Sequence, residues 1–420
     1  MDQQDEIIAV AADILTRRYG GTQKLSAAER LGGSGSAHVY RVKVASNPFF
    51  PQRTVVVKHA PATGSTLDDA AFLREVVAYQ FTTSLSAAVR PGPTLLGYDT
   101  EQRLIILSDS GDGETLADAL QRADAAEHVA ILRNLGTALG KMHAGTADEE
   151  DAFNVLFHRM TRSRAHSADI QQLRDRLLVH RIRLGVELLK RSGIEVPDEV
   201  ALTASNLQNR LLTGGMRAFT PFDLSPDNVI YSDGHHHFLD YEWAGFRDVS
   251  FDVAFVVARF PMYLSAQPFN AQATEAFIEA WVAEVAQTWP GVRNADTLKA
   301  RITAAMIGWA LSSITMMDPQ PVAEVLDNDA AMAAEFEAAG LKDPENALEI
   351  GLETGPETDS WETGDILRQR SEAQFTEDEL LVRRDLRETF EALAGFAGTG
   401  QDQAYRTVEA FAQTMAERLR

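Results

Sequence analysis

The sequence predicts an α+β protein of two lobes, an N-terminal lobe built on an antiparallel sheet (residues 1–110) and a larger, mainly helical C-terminal lobe (residues 111–420). Three observations carry that expectation. Hydrophobic spacing changes from helical to strand-like just after residue 20. Five strand-like runs and one inserted helix are crowded into the first 110 residues. From residue 111 onward apolar residues recur mostly at helical spacing, interrupted by one hairpin-like stretch at 219–243.

Each element follows from its own residues. Residues 5–19 place Ile7, Val10 and Ile14 at helical spacing and stop at Gly20-Gly21. In AERLGGSGSAHVYRVKVA the glycines are followed by Val39, Tyr40, Val42 and Val44; after SNPFFPQR comes TVVVKHA, and the pair reads as an antiparallel hairpin. TLDDAAFLREVVAYQFTTSL is a helix capped near Ser65 or Thr66, with acids in its first turn. RPGPTLLGYD and RLIILSD are two further strands. HVAILRNLGTALGKMHAG lines up Ile131, Leu135, Leu139 and Met142, and a long charged helix is expected from about 166 to 192. Beyond the hairpin, helices are expected near 250–260, 270–287, 296–316, 320–340, 376–395 and 401–419. The stretch from Asp318 to Glu379 is rich in acids, and GLETGPETDSWETGD within it reads as a loop.

Composition narrows the function. The hydrophobic fraction of 45% is that of a globular chain. A formal charge of −22 argues against nucleic acid or an anionic membrane as partner and favours a cationic small substrate. With no cysteine, disulfides, thiolate metal sites and Cys nucleophiles are excluded. The N-terminal residues lack the basic n-region of a signal peptide, and no run approaches the roughly 18 apolar residues of a membrane span, so a cytoplasmic location is expected.

Chemistry begins at Lys58, which ends the strand VVVK. An ammonium in such an apolar run needs an anion. In the following helix Phe72, Val76 and Tyr79 form a stripe, and Glu75 lies inside it, so a strand lysine and a helix glutamate are set to meet across the sheet. Such a pair holds an ammonium ready for phosphate oxygens. Just upstream, the glycine-rich LGGSGSAHVYRV lets backbone N–H groups approach phosphates, with Ser34, Gly35 and Ser36 at its centre. Its third glycine position in a G-x-G-x-x-G pattern is occupied by His38.

The stretch FDLSPDNVIYSDGHHHFLDYEW completes the set. Asp223 and Asn228 stand five residues apart in a loop braked by Pro221 and Pro226; Asp-Gly then turns the chain back toward Asp240. Phosphoryl transfer needs a carboxylate to orient and deprotonate a hydroxyl, an oxygen ligand for Mg²⁺, and a carboxylate bridging metal and phosphates. Asp223, Asn228 and Asp240 supply these in that order. The histidines 235–237 alternate faces, so they cannot converge on one metal; an exposed hairpin tip is expected.

This order of motifs resembles the aminoglycoside phosphotransferase and choline kinase-like superfamily of small-molecule kinases. LDYEWAGFRDVSFDVAF is the most telling part, with an Asp-x-Glu followed closely by Asp252, which the resemblance implies is a structural brace for the catalytic loop. The resemblance implies the two-lobed protein kinase-like fold and transfer of a γ-phosphate from ATP or GTP, with Mg²⁺, to a hydroxyl of an aminoglycoside or another amino sugar, an amino alcohol or a simple sugar. It also implies adenine binding along the linker at Leu107, Ser108 and Asp109. Acidic residues of the helical lobe, with Trp243 or Trp281, are candidates to hold a cationic acceptor. Two departures stand out. Pro221-Phe222-Asp223 replaces the usual His-Gly-Asp, removing the histidine that braces the loop, and Ala37 replaces an asparagine. The missing histidine leaves a nucleotide-binding pseudokinase as one rival reading; a protein kinase is the other, disfavoured because no activation segment fits between Asp240 and the next helix.

Overall fold

The computed structural model describes residues 3–32, 37–162, 164, 167–232, 234–263, 269–317, 366–369 and 375–420. The helix expected at 320–340, the acidic loop after it, and Ser34, Gly35 and Ser36 lie outside the described residues.

Helix α1 (Gln3–Tyr19) leads into strands β1 (Leu25–Arg30), β2 (His38–Val44) and β3 (Thr54–His59). Helix α2 (Thr66–Ser84) follows, and then β4 (Leu95–Asp99) and β5 (Leu104–Ser108). The five strands form one antiparallel sheet in the order β1-β2-β3-β5-β4. Strand alternation sorts its two faces. Val55, Val57, Leu104 and Ile106 pack with Ile7, Ala11, Ile14 and Leu15 of α1. Ile105 and Leu107 point the other way, into the core that holds Phe72, Val76 and Val77 of α2. Lys58, directly after Val57, therefore belongs to the α2 side. Ser65 is the cap of α2, its hydroxyl accepting from the N–H groups of Leu67 and Asp68 at 3.2 and 3.4 Å.

The rest of the chain is mostly helical: β6 (Glu114–Thr115), α3 (Leu116–Arg122), α4 (Ala125–Thr146), α5 (Glu150–Thr161), α6 (Ser167–Arg191) and α7 (Asp198–Thr213). Four short strands interrupt it, β7 (Arg217–Thr220), β8 (Val229–Ser232), β9 (His235–Phe238) and β10 (Gly245–Asp248). They are followed by α8 (Ser250–Val257), α9 (Ala271–Val285), α10 (Ala295–Met317), α11 (Glu377–Gly398) and α12 (Gln403–Arg418). Strand β7 pairs antiparallel with β10, so both ends of the stretch 217–248 are pinned together. Inside it β8 and β9 form the expected hairpin, with β6 added at its edge. Asp240 stands two residues beyond β9.

Two glycines set helix spacing. A Cβ on Gly185 of α6 would drive into the Leu311 carbonyl of α10, and one on Gly136 of α4 into the Phe277 carbonyl of α9. Those helix pairs approach as closely as backbone allows. Among the described residues no helix is long and apolar enough to cross a membrane.

The histidine triplet departs from the expectation of an exposed tip. His235 is exposed, but His236 is buried against Tyr231, with ring centroids 4.9 Å apart. Alternation along β9 turns the middle residue inward when its neighbours face out. Neither of its ring nitrogens has a hydrogen-bond partner, and burial pulls its pKa down to about 3, so it sits in the core as a neutral ring.

Candidate active site

Lys58 places its Nζ 2.8 and 3.0 Å from the two carboxylate oxygens of Glu75 and 3.0 Å from Oδ1 of Asp240. Strand, helix and hairpin thus meet at one ammonium. Burial pulls the pKa of Lys58 down, yet the carboxylates of Asp240 and Glu75 outweigh it and hold the group well above its ordinary value. Burial raises the carboxyl of Glu75, and the ammonium of Lys58 pulls it back. Asp240 is the more exposed partner, its side chain 37% accessible. Its backbone is left-handed at φ 56°, and its N–H donates to the hydroxyl of Tyr79 at 3.3 Å.

Asp223 sits one loop away. Its Oδ1 accepts from the N–H of Ser225 at 3.0 Å and the Ser225 hydroxyl at 2.5 Å; its Oδ2 accepts from Nδ2 of Asn228 at 3.1 Å. Burial raises its pKa, against the pull of those donors, and Asp240 adds to the rise. Because Asn228 spends its amide nitrogen on Asp223, its side-chain oxygen is left for another partner. The N–H of Leu239 donates to the Asn228 carbonyl at 2.8 Å, which brings Asp240 beside the loop.

Beneath the loop lies a layer in which Asp252, expected as a brace, is joined by His143, which sequence reading left unassigned. Trp281 donates its indole N–H to Nδ1 of His143 at 3.0 Å, so the other nitrogen, Nε2, carries the proton toward Oδ2 of Asp252 at 3.2 Å. Both His143 and Asp252 are fully buried. Burial raises the Asp252 carboxyl, opposed by His143, Arg247 and the backbone N–H of Phe222. Phe222 itself is left-handed at φ 69°, at the position where the resembling family carries glycine. A side chain there costs on the order of 1–3 kcal/mol of backbone strain. The ring of Phe222 lies 4.9 Å from Trp309 and 4.8 Å beneath the Arg247 guanidinium.

That ring also walls a pocket opening beside Asp223. Phe222, Trp243, Phe251, Phe255 and Trp309 make it aromatic, and Asp223 and Arg181 are its only charged lining groups among the described residues. Arg181, on α6, is 5% exposed and has no hydrogen bond or ion pair to a described residue. Burial alone pulls its pKa down to about 10, which leaves it cationic at neutral pH. One face-repeat earlier on α6, Arg174 lies over the Trp243 ring at 4.3 Å, with its Nη1 buried and unpartnered. Of the two tryptophans singled out from sequence, Trp243 lines this pocket and Trp281 is buried behind it on His143.

The linker residues fare unevenly. Ser108 donates its N–H to the Thr94 carbonyl and accepts the Thr94 N–H at its hydroxyl, each at 2.9 Å, so that N–H is not free for a base. Asp109 is tied to Arg41, whose Nε lies 3.1 Å from Oδ2. Leu107 is buried in the sheet, pairing with Val56.

The donor set suits a hard cation. An amide oxygen on Asn228 and the accessible carboxylate of Asp240 are oxygen ligands of the kind Mg²⁺ takes alongside phosphate oxygens. Among the described residues no group of three or more His, Cys, Asp or Glu side chains is arranged to hold a metal by itself.

The phosphotransferase enzyme family model matches residues 27–293. Similar solved structures include the streptomycin–ATP ternary complex of APH(2")-IIa, at 14% identity over 79% of this chain and 98% of that one, with a TM-score of 0.45. A choline/ethanolamine kinase family protein from Mesorhizobium loti matches at 14% identity over 84% and 100%, with a TM-score of 0.41. Choline kinase from Cryptosporidium parvum Iowa II matches at 12% identity over 83% and 100%, with a TM-score of 0.42. No curated protein matches the chain.

Proposed function

The chain belongs to the phosphotransferase enzyme family, with its two-lobed protein kinase-like fold, and we propose that it moves the γ-phosphate of ATP or GTP to the hydroxyl of a small molecule. The observation that carries this reading is the meeting of Lys58, Glu75 and Asp240 at one ammonium, with Asp223 and Asn228 held one loop away.

Asp223 takes the proton of the attacking hydroxyl, for which a raised pKa suits it. The hydroxyl oxygen bonds to the γ-phosphorus, the bond from that phosphorus to the β,γ-bridging oxygen breaks, and the nucleoside diphosphate leaves with the electron pair. Lys58, steered by Glu75, grips the α- and β-phosphates. Asn228 and Asp240 would hold Mg²⁺ through their side-chain oxygens, and when bound it would supply charge neutralisation at the phosphate oxygens. Positioning and charge neutralisation supply most of the acceleration. The absent histidine at Pro221 is offset by the brace of His143 and Asp252 under Phe222, which speaks against the pseudokinase reading.

Asp223→Ala tests the assignment. Acceptor-dependent release of the diphosphate falls by roughly 10²- to 10⁴-fold while nucleotide still binds. Wild-type turnover in that variant would show that another group is the base.

A further inference from the structure

Arg181 takes no part in the chemistry just described, yet it is one of two charged groups in the pocket beside Asp223. Other arginines of this lobe have carboxylate partners: Arg74 and Arg247 share Asp175, with contacts of 3.0 and 2.6 Å, and Arg210 reaches Asp248 at 2.7 Å. Arg181 is as buried as Arg74 and has no acceptor among the described residues. A guanidinium does not shed its proton to escape burial, so its charge has to be met from the pocket. Arg181 lines the pocket together with Trp309 and Ser312 of α10, against which α6 packs closely at Gly185.

We propose that Arg181 is a specificity-determining residue for an acceptor bearing a carboxylate on a flat, apolar body, the carboxylate on the guanidinium, the hydroxyl at Asp223, and the body against the aromatic walls. This rests on the phosphotransferase reading above and names its substrate class. A planar guanidinium matches a carboxylate with two parallel hydrogen bonds, the strongest neutral-pH pairing available to it. The proposal reverses the sign drawn from the net charge. A polycationic amino sugar would set its ammonium groups against Arg181 in a pocket whose sole described carboxylate is the catalytic base.

Three probes of one shape test it: 4-(hydroxymethyl)benzoate, 4-(hydroxymethyl)benzamide and 4-(aminomethyl)benzyl alcohol, titrated into the full-length protein by calorimetry without nucleotide. The benzoate binds roughly 10- to 100-fold more tightly than the benzamide, and the amine binds most weakly. In Arg181→Met the benzoate loses that advantage, while Arg181→Lys keeps part of it. Relief of the buried charge raises the melting temperature of the unliganded Met variant. Binding that favours the amine, equal or absent binding of the benzoate, or a preference that survives Arg181→Met overturns the proposal. Because binding is read without transfer, these results are independent of the Asp223→Ala experiment. Wild-type turnover in Asp223→Ala together with a retained benzoate preference would fault the catalytic reading alone.

Discussion

The nucleotide-facing cleft and the pocket beside Asp223 treat charge in opposite ways. In the cleft Lys58 is met within the protein by Glu75 and Asp240, and Asp223 by Ser225 and Asn228. In the pocket a buried guanidinium has no acceptor among the described residues and lies among aromatic rings. The cleft therefore holds its shape before any ligand arrives, because internal partners stand in for phosphate and metal. On the proposal above, the pocket is completed by the acceptor's carboxylate. Chemistry common to all phosphoryl transfer sits in the self-satisfied half, and selectivity sits in the half left open.

The strongest way to separate the two halves is Asp240→Ala. It removes a proposed metal ligand and one of the two carboxylates on Lys58, while Glu75 keeps the ammonium paired. We expect kcat to fall by roughly 10²- to 10³-fold, with acceptor affinity unchanged, in steady-state kinetics. A variant that loses acceptor affinity as steeply as turnover would show that the halves are not separable.

The same division explains what could be read in advance. Lys58, Glu75, Asp223, Asn228 and Asp240 were legible because each lies at a fixed offset within one strand, helix or hairpin, where local periodicity says which way a side chain turns. Arg174 and Arg181 were not. Both belong to a helix recognised only as long and charged, and an arginine on such a helix ordinarily reaches water. Their burial depends on α8, α10 and the hairpin, which pack around α6 from well beyond it in the chain. The role of α1, covering the second face of the sheet, escaped for the same reason: amphipathic spacing shows that a helix needs a partner and not which one. His236 was within reach. The alternation that rules out a three-histidine metal site also puts the middle ring on the face opposite its neighbours, so that three exposed rings were not to be expected.

His143→Ala strikes where the halves join. His143 is held by Trp281 and meets Asp252, whose influence reaches Phe222, wall of the pocket and neighbour of the base. Truncation leaves a buried indole N–H and a buried carboxyl unmet, at a cost of about 2–4 kcal/mol in urea unfolding. Turnover is expected to drop by about tenfold, with KM for both substrates affected together. His143→Gln, which can offer both an acceptor and a donor, recovers part of the loss. An effect confined to one substrate would mean that Asp252 braces one half only.

The smallest expected effect concerns Asp385, a carboxyl hidden behind the pocket wall on α11. It is 6% exposed and accepts the N–H of Met262, a pocket residue, at 3.0 Å. Unlike Glu75 and Asp240 it has no cation in hydrogen-bond contact among the described residues. Burial raises its pKa from 3.8 to about 7, with Glu388 adding to the rise and Met262 and Arg384 opposing it. Between those values the native state holds a proton that the unfolded chain has released, so stability falls as pH rises through the window and the full penalty is present above it. Asp385→Asn keeps an oxygen for Met262 and carries no charge at any pH. The variant should therefore gain on the wild type by roughly 2 kcal/mol between pH 5 and pH 8, since a tenfold change in proton affinity is worth about 1.4 kcal/mol. Urea unfolding at the two pH values measures the difference. A gain that is the same at both would mean that Asp385 is already ionised in the native protein at pH 5, and that this side of the pocket, like the cleft, satisfies its own charges.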